Sequence, residues 1–171
     1  MLSEVEDVLS HRLRAVDCRL DVDEASAAVE IAGAAQSLAH VLVNVVDNAI
    51  GAYEEQDRRD ARIEVRARRT GDTVVVSVRD HAGGVPAEFA ERVFDEMFTT
   101  KEPGKGTGLG LWIARNVVER SFRGTLEIVA VEGPGACFVA TLRDAGAPAS
   151  IGGEPAQAAV VGPASEPASR P

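Results

Sequence analysis

The sequence predicts a two-layer α/β sandwich of the α+β class, with helices segregated onto one side of an antiparallel or mixed sheet. Three observations carry that prediction. Apolar residues keep helical periodicity from Ala34 to about Tyr53 and again from about Thr107 to Ser121. Two pairs of alternating apolar and polar segments flank glycine-containing turns, as half-buried strands do. The chain has 171 residues, 45% apolar and 26% charged, which suits one compact domain with a core and excludes an acidic disordered chain.

Taken in order, Leu2, Val5, Val8, Leu9 and Leu13 form one helical stripe, so residues 1–14 read as a leading helix. Arg19 to Val22 and Ala28 to Ile31 are short alternating stretches around an acidic turn and read as a small hairpin. In the central helix, Leu38, Val41, Leu42, Val45, Val46, Ala49 and Ile50 gather on one side. Ile63, Val65 and Ala67, then Val74, Val76 and Val78, alternate around Thr70-Gly71-Asp72, giving an antiparallel pair. A Gly-rich turn follows Asp80, then a short helix from about Ala87 to Val93, a loop to Gly106 and the second long helix. Strands at Thr125 to Val131 and Ala136 to Leu142 flank the turn Glu132-Gly-Pro-Gly135. The domain is expected to end at Asp144. Residues 145–171 hold five of the eight prolines and only three charges, a composition expected to stay a disordered tail or linker.

Asp and Glu number 27 against 18 Lys and Arg, and the net charge of −9 argues against nucleic acid or an anionic membrane as the main partner. No apolar run approaches the roughly 18 residues of a membrane span, and the first residues lack the basic-then-apolar character of a secretory signal. The expected location is cytoplasmic. Cys18 and Cys137 lack cysteine or histidine partners at metal-ligand spacing, so both read as buried free thiols.

Four segments could carry chemistry. On the central helix, His40, Asn44, Asp47, Asn48 and Gly51 gather opposite the apolar stripe. Carboxamides one turn apart can present oxygens to a hard cation and donors to phosphate; the alternative is a solvated polar face. Asp80-His-Ala-Gly83-Gly84-Val-Pro86 follows a strand end. An acid fixed there can accept a hydrogen bond from an exocyclic amine such as that of adenine, and two glycines let a planar ring approach the backbone. An ordinary strand-to-helix turn would look similar.

Gly104-Lys-Gly106-Thr-Gly108-Leu-Gly110 runs into a helix start, where unpaired N–H groups and the positive end of the dipole can cradle phosphate. It matches neither the P-loop spacing nor the dinucleotide fingerprint, and the apolar run beginning inside the repeat argues against linker glycines. Between the two glycine segments, Val93-Phe94-Asp-Glu-Met-Phe98-Thr-Thr-Lys101 reads as a lid with its apolar side on the body, Lys101 and Lys105 reaching a polyphosphate; Phe94 and Phe98 could equally be plain core.

In this order and with these gaps, the four segments resemble the ATP-binding catalytic domain of bacterial sensor histidine kinases, within the ATPase superfamily shared with gyrase, mismatch-repair and heat-shock chaperone proteins. The resemblance covers about residues 2 to 143. Leu42-Val-Asn44-Val-Val-Asp-Asn48-Ala49 resembles the N box, Asp80 to Pro86 the first glycine box, Val93 to Lys101 the phenylalanine box and Gly106 to Arg115 the second glycine box.

The resemblance implies a Bergerat-type fold, a mixed sheet of about five strands with helices on one face. It implies Asn48 as ligand of Mg²⁺ and Asn44 as a catalytic polar contact to metal or phosphate. Asp80 would accept the adenine amine, Gly84, Val85 and Ala52 would adjoin the nucleotide, and Lys101 and Lys105 would belong to the lid. The backbone of Gly106, Thr107, Gly108, Leu109 and Gly110 would wrap the phosphates of ATP.

The implied reaction transfers the γ-phosphoryl to a histidine on a separate dimerisation domain, with a response regulator downstream. Rival readings are a serine kinase and binding module of the anti-sigma type, and a non-catalytic ATP sensor. Gly51 stands where many members carry a base, so one phosphate contact is either missing or supplied by Lys105, and Ala82 and His81 replace the usual Gly and Asn. None of His11, His40 and His81 has the sequence surroundings of the family's phosphoacceptor.

Overall fold

A computed structural model describes residues 2–27, 29, 31, 35–58, 61–102 and 106–144. Helix α1 (Leu2–Ala15) leads to strand β1 (Arg19–Val22), a short helix α2 (Glu24–Ala27) and the long helix α3 (Ala35–Glu55). Strands β2 (Arg62–Thr70) and β3 (Thr73–Asp80) precede helix α4 (Gly110–Phe122) and strands β4 (Thr125–Val129) and β5 (Cys137–Arg143). The sheet is mixed, in the order β1-β2-β3-β5-β4, with β1 parallel to β2 and every other pairing antiparallel.

Alternation explains how the layers meet, since period-2 side chains place one apolar set per strand on a single face. Val74, Val76 and Val78 of β3 pair with Leu142, Ala140 and Phe138 of β5, and all six are buried. Against them lie the apolar stripes of α3 and α4, including Leu42, Val45, Val46, Ala114 and Val118. Burying this stripe, rather than intrinsic propensity, is what holds a helix of α3's composition in place.

Five expectations differ from the structure. Arg19–Val22 is a strand but not half of a hairpin: it pairs with β2, because the long α3 crossover returns the chain in the same direction. The acidic turn expected after it opens α2 instead, and Ala28 and Glu30 of the expected partner strand lie outside the described residues. In α1, Val5, Leu9 and Leu13 are buried but Val8 is 63% exposed, so the stripe is narrower than the sequence suggests.

The helix expected from Ala87 to Val93 resolves into two 3₁₀ turns, Ala87–Phe89 and Arg92–Phe94. So short a segment gains little from helical bonds, and two tight turns let Phe94 enter the core while Phe89 stays partly exposed. Helix α4 starts at Gly110 rather than near Thr107, because Gly108 has φ +67° and a right-handed helix cannot begin before it. The expected tail, 145–171, lies outside the described residues. Among the described residues no helix is long and apolar enough to cross a membrane.

Candidate functional site

A cleft opens between the C-terminal half of α3, the end of β3 and the first turn of α4. Asn48, Ala52 and Glu55 line it from α3, and Asp80, Gly84, Val85 and Pro86 from the turn after β3. Phe89, Val93, Thr100, Lys101, Leu111 and Ala136 complete the lining. Six of the residues expected at a site, Asn48, Ala52, Asp80, Gly84, Val85 and Lys101, therefore share one cleft.

Asp80 is 3% exposed. Its Oδ1 accepts the N–H of Ala82 at 2.9 Å and of Ala136 at 3.3 Å, while its own N–H donates to the Ala136 carbonyl at 3.0 Å. Among the described residues no hydrogen bond falls on Oδ2, and Asp80 lines the cleft. Burial pushes the carboxyl above the usual range, against the pull of those two N–H bonds. A fixed carboxylate with one lone-pair set free can accept a donor within the cleft.

The floor is built from backbone contacts that only glycine permits. Gly84 has φ +78°, and a Cβ on it would lie 2.8 Å from the Gly135 carbonyl oxygen; Gly135 has φ +104°, and a Cβ there would overlap the Asp80 carbonyl. The turn Glu132–Gly135 thus clamps the Asp80 loop. Ala82, in the same loop, is 1% exposed and belongs to the core rather than to the cleft lining.

Tyr53 anchors the same loop from α3. Its hydroxyl donates to the Arg62 carbonyl at 2.7 Å and accepts the N–H of His81 at 2.8 Å and of Arg62 at 3.3 Å. Tyr53→Phe leaves those partners unpaired in a partly buried place and should cost about 1–3 kcal/mol. Urea denaturation checks this; an unshifted midpoint would contradict the anchoring role.

At the start of α4, the first intrahelical bond runs from the Ile113 N–H to the Leu109 carbonyl, 2.8 Å, and no side chain caps the helix. The N–H groups of Gly110, Leu111 and Trp112 precede that bond and lack a helical acceptor, the usual condition of a helix N-terminus able to receive an anion. Thr107 is exposed, and its Oγ1 accepts the Leu109 N–H at 3.4 Å. Asn44 touches this turn rather than the cleft: its Nδ2 donates to the His40 carbonyl at 2.8 Å, and a Cβ on Gly110 would lie 3.3 Å from its Oδ1. Lys105 lies outside the described residues.

The lid segment rests on aromatic contacts. Phe94 is core, edge-on to Phe138 at 6.2 Å, and Phe98 packs on Phe89 at 5.5 Å with the Arg92 guanidinium over its ring at 4.7 Å. Phe94 is thus plain core, while Phe98 packs half-buried on the neighbouring turn. Met97 is 73% exposed at φ +61°.

Two polar residues expected beside Asn48 point elsewhere. Asp47 pairs with Arg12 of α1, which also bonds Glu54 at 2.6 Å, so it staples α1 to α3. His40 and His11 are exposed, and the His81 ring bonds Glu64 at 2.9 Å. Sequence reasoning missed Glu55, Phe89, Leu111 and Ala136 as cleft residues, and Tyr53 as the anchor. One signal was present: Gly135 is a second glycine in a turn that Gly133 and Pro134 already suffice to make. Both cysteines are free, but only Cys137 is buried as expected and Cys18 is half-buried at the strand edge; burial pushes the Cys18 thiol up to about 11 and raises that of Cys137.

The sequence profile of the histidine kinase-, DNA gyrase B- and HSP90-like ATPases matches residues 33–146. The chain is 40% identical over 126 residues to the two-component sensor PprA of Pseudomonas aeruginosa, covering 72% of this chain and 13% of PprA. It is 38% identical over 109 residues to the sensor histidine kinase ZraS of Escherichia coli O157:H7, covering 64% of this chain and 22% of ZraS. The chain thus spans less than a quarter of these two relatives. The catalytic domain of histidine kinase ThkA superposes with a TM-score of 0.67 at 28% identity, covering 83% of this chain and 89% of that domain. ThkA in complex with the response regulator TrrA gives 0.66 at 22% identity over 84% of this chain and 39% of ThkA, a likeness of fold.

Proposed function

Because the chain belongs to the family of histidine kinase-, DNA gyrase B- and HSP90-like ATPases, we propose that it is the catalytic module of a two-component sensor kinase, binding ATP with Mg²⁺ and phosphorylating a histidine on a separate dimerisation domain. The observation that carries this reading is a single cleft lined both by Asp80, whose Oδ2 takes no hydrogen bond among the described residues, and by Leu111 of the uncapped first turn of α4. One end suits the amine of adenine, the other a polyphosphate.

Asn48 is the proposed ligand of Mg²⁺. Among the described residues no cluster of three His, Cys, Asp or Glu could hold a metal. A lone carboxamide oxygen fits an ion that arrives with the nucleotide and keeps water and phosphate as its other ligands. When bound, Mg²⁺ supplies neutralisation of phosphate charge. The protein's own part is positioning: Gly84 and Val85 admit the base, and the backbone from Gly106 to Gly110 holds the phosphates. Asn44, whose Oδ1 lies beside Gly110, is the proposed catalytic carboxamide. The γ-phosphoryl passes to an imidazole nitrogen, breaking its bond to the β-phosphate bridging oxygen and leaving ADP. Phosphoryl transfer asks mainly for such alignment and charge compensation.

The phosphoacceptor domain and a response regulator are the proposed partners, supported by the sensor-kinase relatives and by ThkA's complex with TrrA. The proposed location is cytoplasmic, where ATP is available, and residues 145–171 are proposed as a tail beyond a catalytic unit of 1–144. The named relatives favour histidine over serine as the target, and the buried methyl of Ala82 removes one motive for a non-catalytic sensor. Asn48→Ala tests the reading: half-buried on the cleft side of α3, it should unfold like the wild type and bind Mg-ATP at least about tenfold more weakly. Unchanged affinity by calorimetry would sink the assignment.

A further inference from the structure

On α3, Gly51 follows Asn48 by three residues, on the same side of the helix, and is buried. What buries it is Lys101: the ammonium Nζ occupies the place where a Cβ on residue 51 would stand, and Cε would lie 3.3 Å from that Cβ. The lysine stem is held by a second glycine, since a Cβ on Gly106 would meet Lys101 Cδ at 3.1 Å. The Lys101 N–H donates to Thr99 Oγ1 at 3.1 Å, fixing the turn that delivers it. Glu55, one turn beyond Gly51, is 3.9 Å from the ammonium, and both residues line the cleft with Asn48.

We infer that Gly51 and Gly106 form a slot that brings Lys101 from the lid segment onto α3 as the cation facing the phosphates of the bound nucleotide, with Glu55 holding the ammonium until the nucleotide takes it over. Residue 51 is then a positioning residue: its lack of a side chain is what admits the lysine. The inference rests on the ATP-binding reading, in which Lys101 already reaches the polyphosphate, and adds to it the seat on α3 that positions the ammonium. It also explains why an α3 without a base at this turn can still serve a polyphosphate.

The test is calorimetric titration of the whole chain with ATP plus Mg²⁺ and, separately, with adenosine, using wild type, Lys101→Met, Gly51→Ala and the double variant. Lys101→Met should weaken ATP roughly tenfold and leave adenosine unchanged. Gly51→Ala meets only the far end of a flexible side chain, so it should fold and melt at or above the wild-type temperature, helped by the better helix former. It should nevertheless lose as much ATP affinity as Lys101→Met, and the double variant should lose no more than either. Gly51→Lys in the Lys101→Met background should restore binding. Additive losses, or wild-type affinity in Gly51→Ala, would overturn the slot while leaving the nucleotide reading intact. A wild-type chain that binds neither ATP nor adenosine would overturn both.

Discussion

Gly108→Val is expected to abolish measurable ATP binding, a loss of about a hundredfold or more, while the sheet and α3 stay folded. Two costs combine at this position. Gly108 has φ +67°, a conformation in which a β-branched residue is strongly disfavoured, by about 1–2 kcal/mol for the backbone alone. A Cβ would also overlap the Met97 carbonyl carbon and lie 2.7 Å from the oxygens of Met97 and Phe98, which are backbone atoms and cannot swing aside. The loop can relieve both only by leaving Met97 and Phe98, which pulls apart the lid and the approach to α4. The core contributed by α3 and the strands does not pass through residue 108.

A second glycine separates strain from collision. Gly133 has φ +81° with nothing within 4 Å of its hypothetical Cβ, so Gly133→Ala carries the conformational cost alone. Equilibrium binding of an ATP analogue to both variants, with circular dichroism as the folding control, checks the pair. Full affinity in Gly108→Val would mean that this loop does not hold the nucleotide.

These glycines also mark what could be seen in the sequence and what could not. Gly108 and Gly110 were visible because they interrupt an apolar run that must pack, a local conflict that points to a function. The central helix and the two antiparallel pairs were visible because their periods persist over many residues. The parallel pairing of β1 was not, since it depends on how a 21-residue helix returns the chain, and four residues of strand carry no mark of direction. Asp47 shows the same limit within one helix. Its angle about the axis places it among polar residues, but its partner, Arg12, belongs to another helix whose packing the sequence does not disclose. Lys101 could be named from its neighbours in sequence; that it lies over Gly51 is a fact of tertiary packing alone.

Asp80→Asn is expected to bind ATP about tenfold to a hundredfold more weakly, and to be as stable as the wild type or more so. The amide oxygen of Asn can keep both bonds that Oδ1 now accepts, from Ala82 and Ala136, so the loop retains its frame. The amide nitrogen then replaces Oδ2 and offers a donor to the adenine amine, itself a donor, so preference for ATP over GTP should narrow. Stability moves the other way because burial raises the Asp80 carboxyl above its unfolded value. The native state then holds this proton more tightly than the unfolded chain, so its contribution to stability declines as pH climbs from the unfolded value through the raised native one. Asn has no charge to desolvate, so the stability gap in its favour should open across that interval and stay constant above it. Thermal melts from acid to neutral pH, alongside ATP and GTP titrations, read both effects on the same samples. Equal ATP-to-GTP preference in the two proteins would remove Asp80 from base recognition. A gap that shrinks with rising pH would contradict the raised carboxyl. A residue that only supported the fold would lower stability and binding together; a carboxylate kept in the core at a cost, to meet a base, separates them.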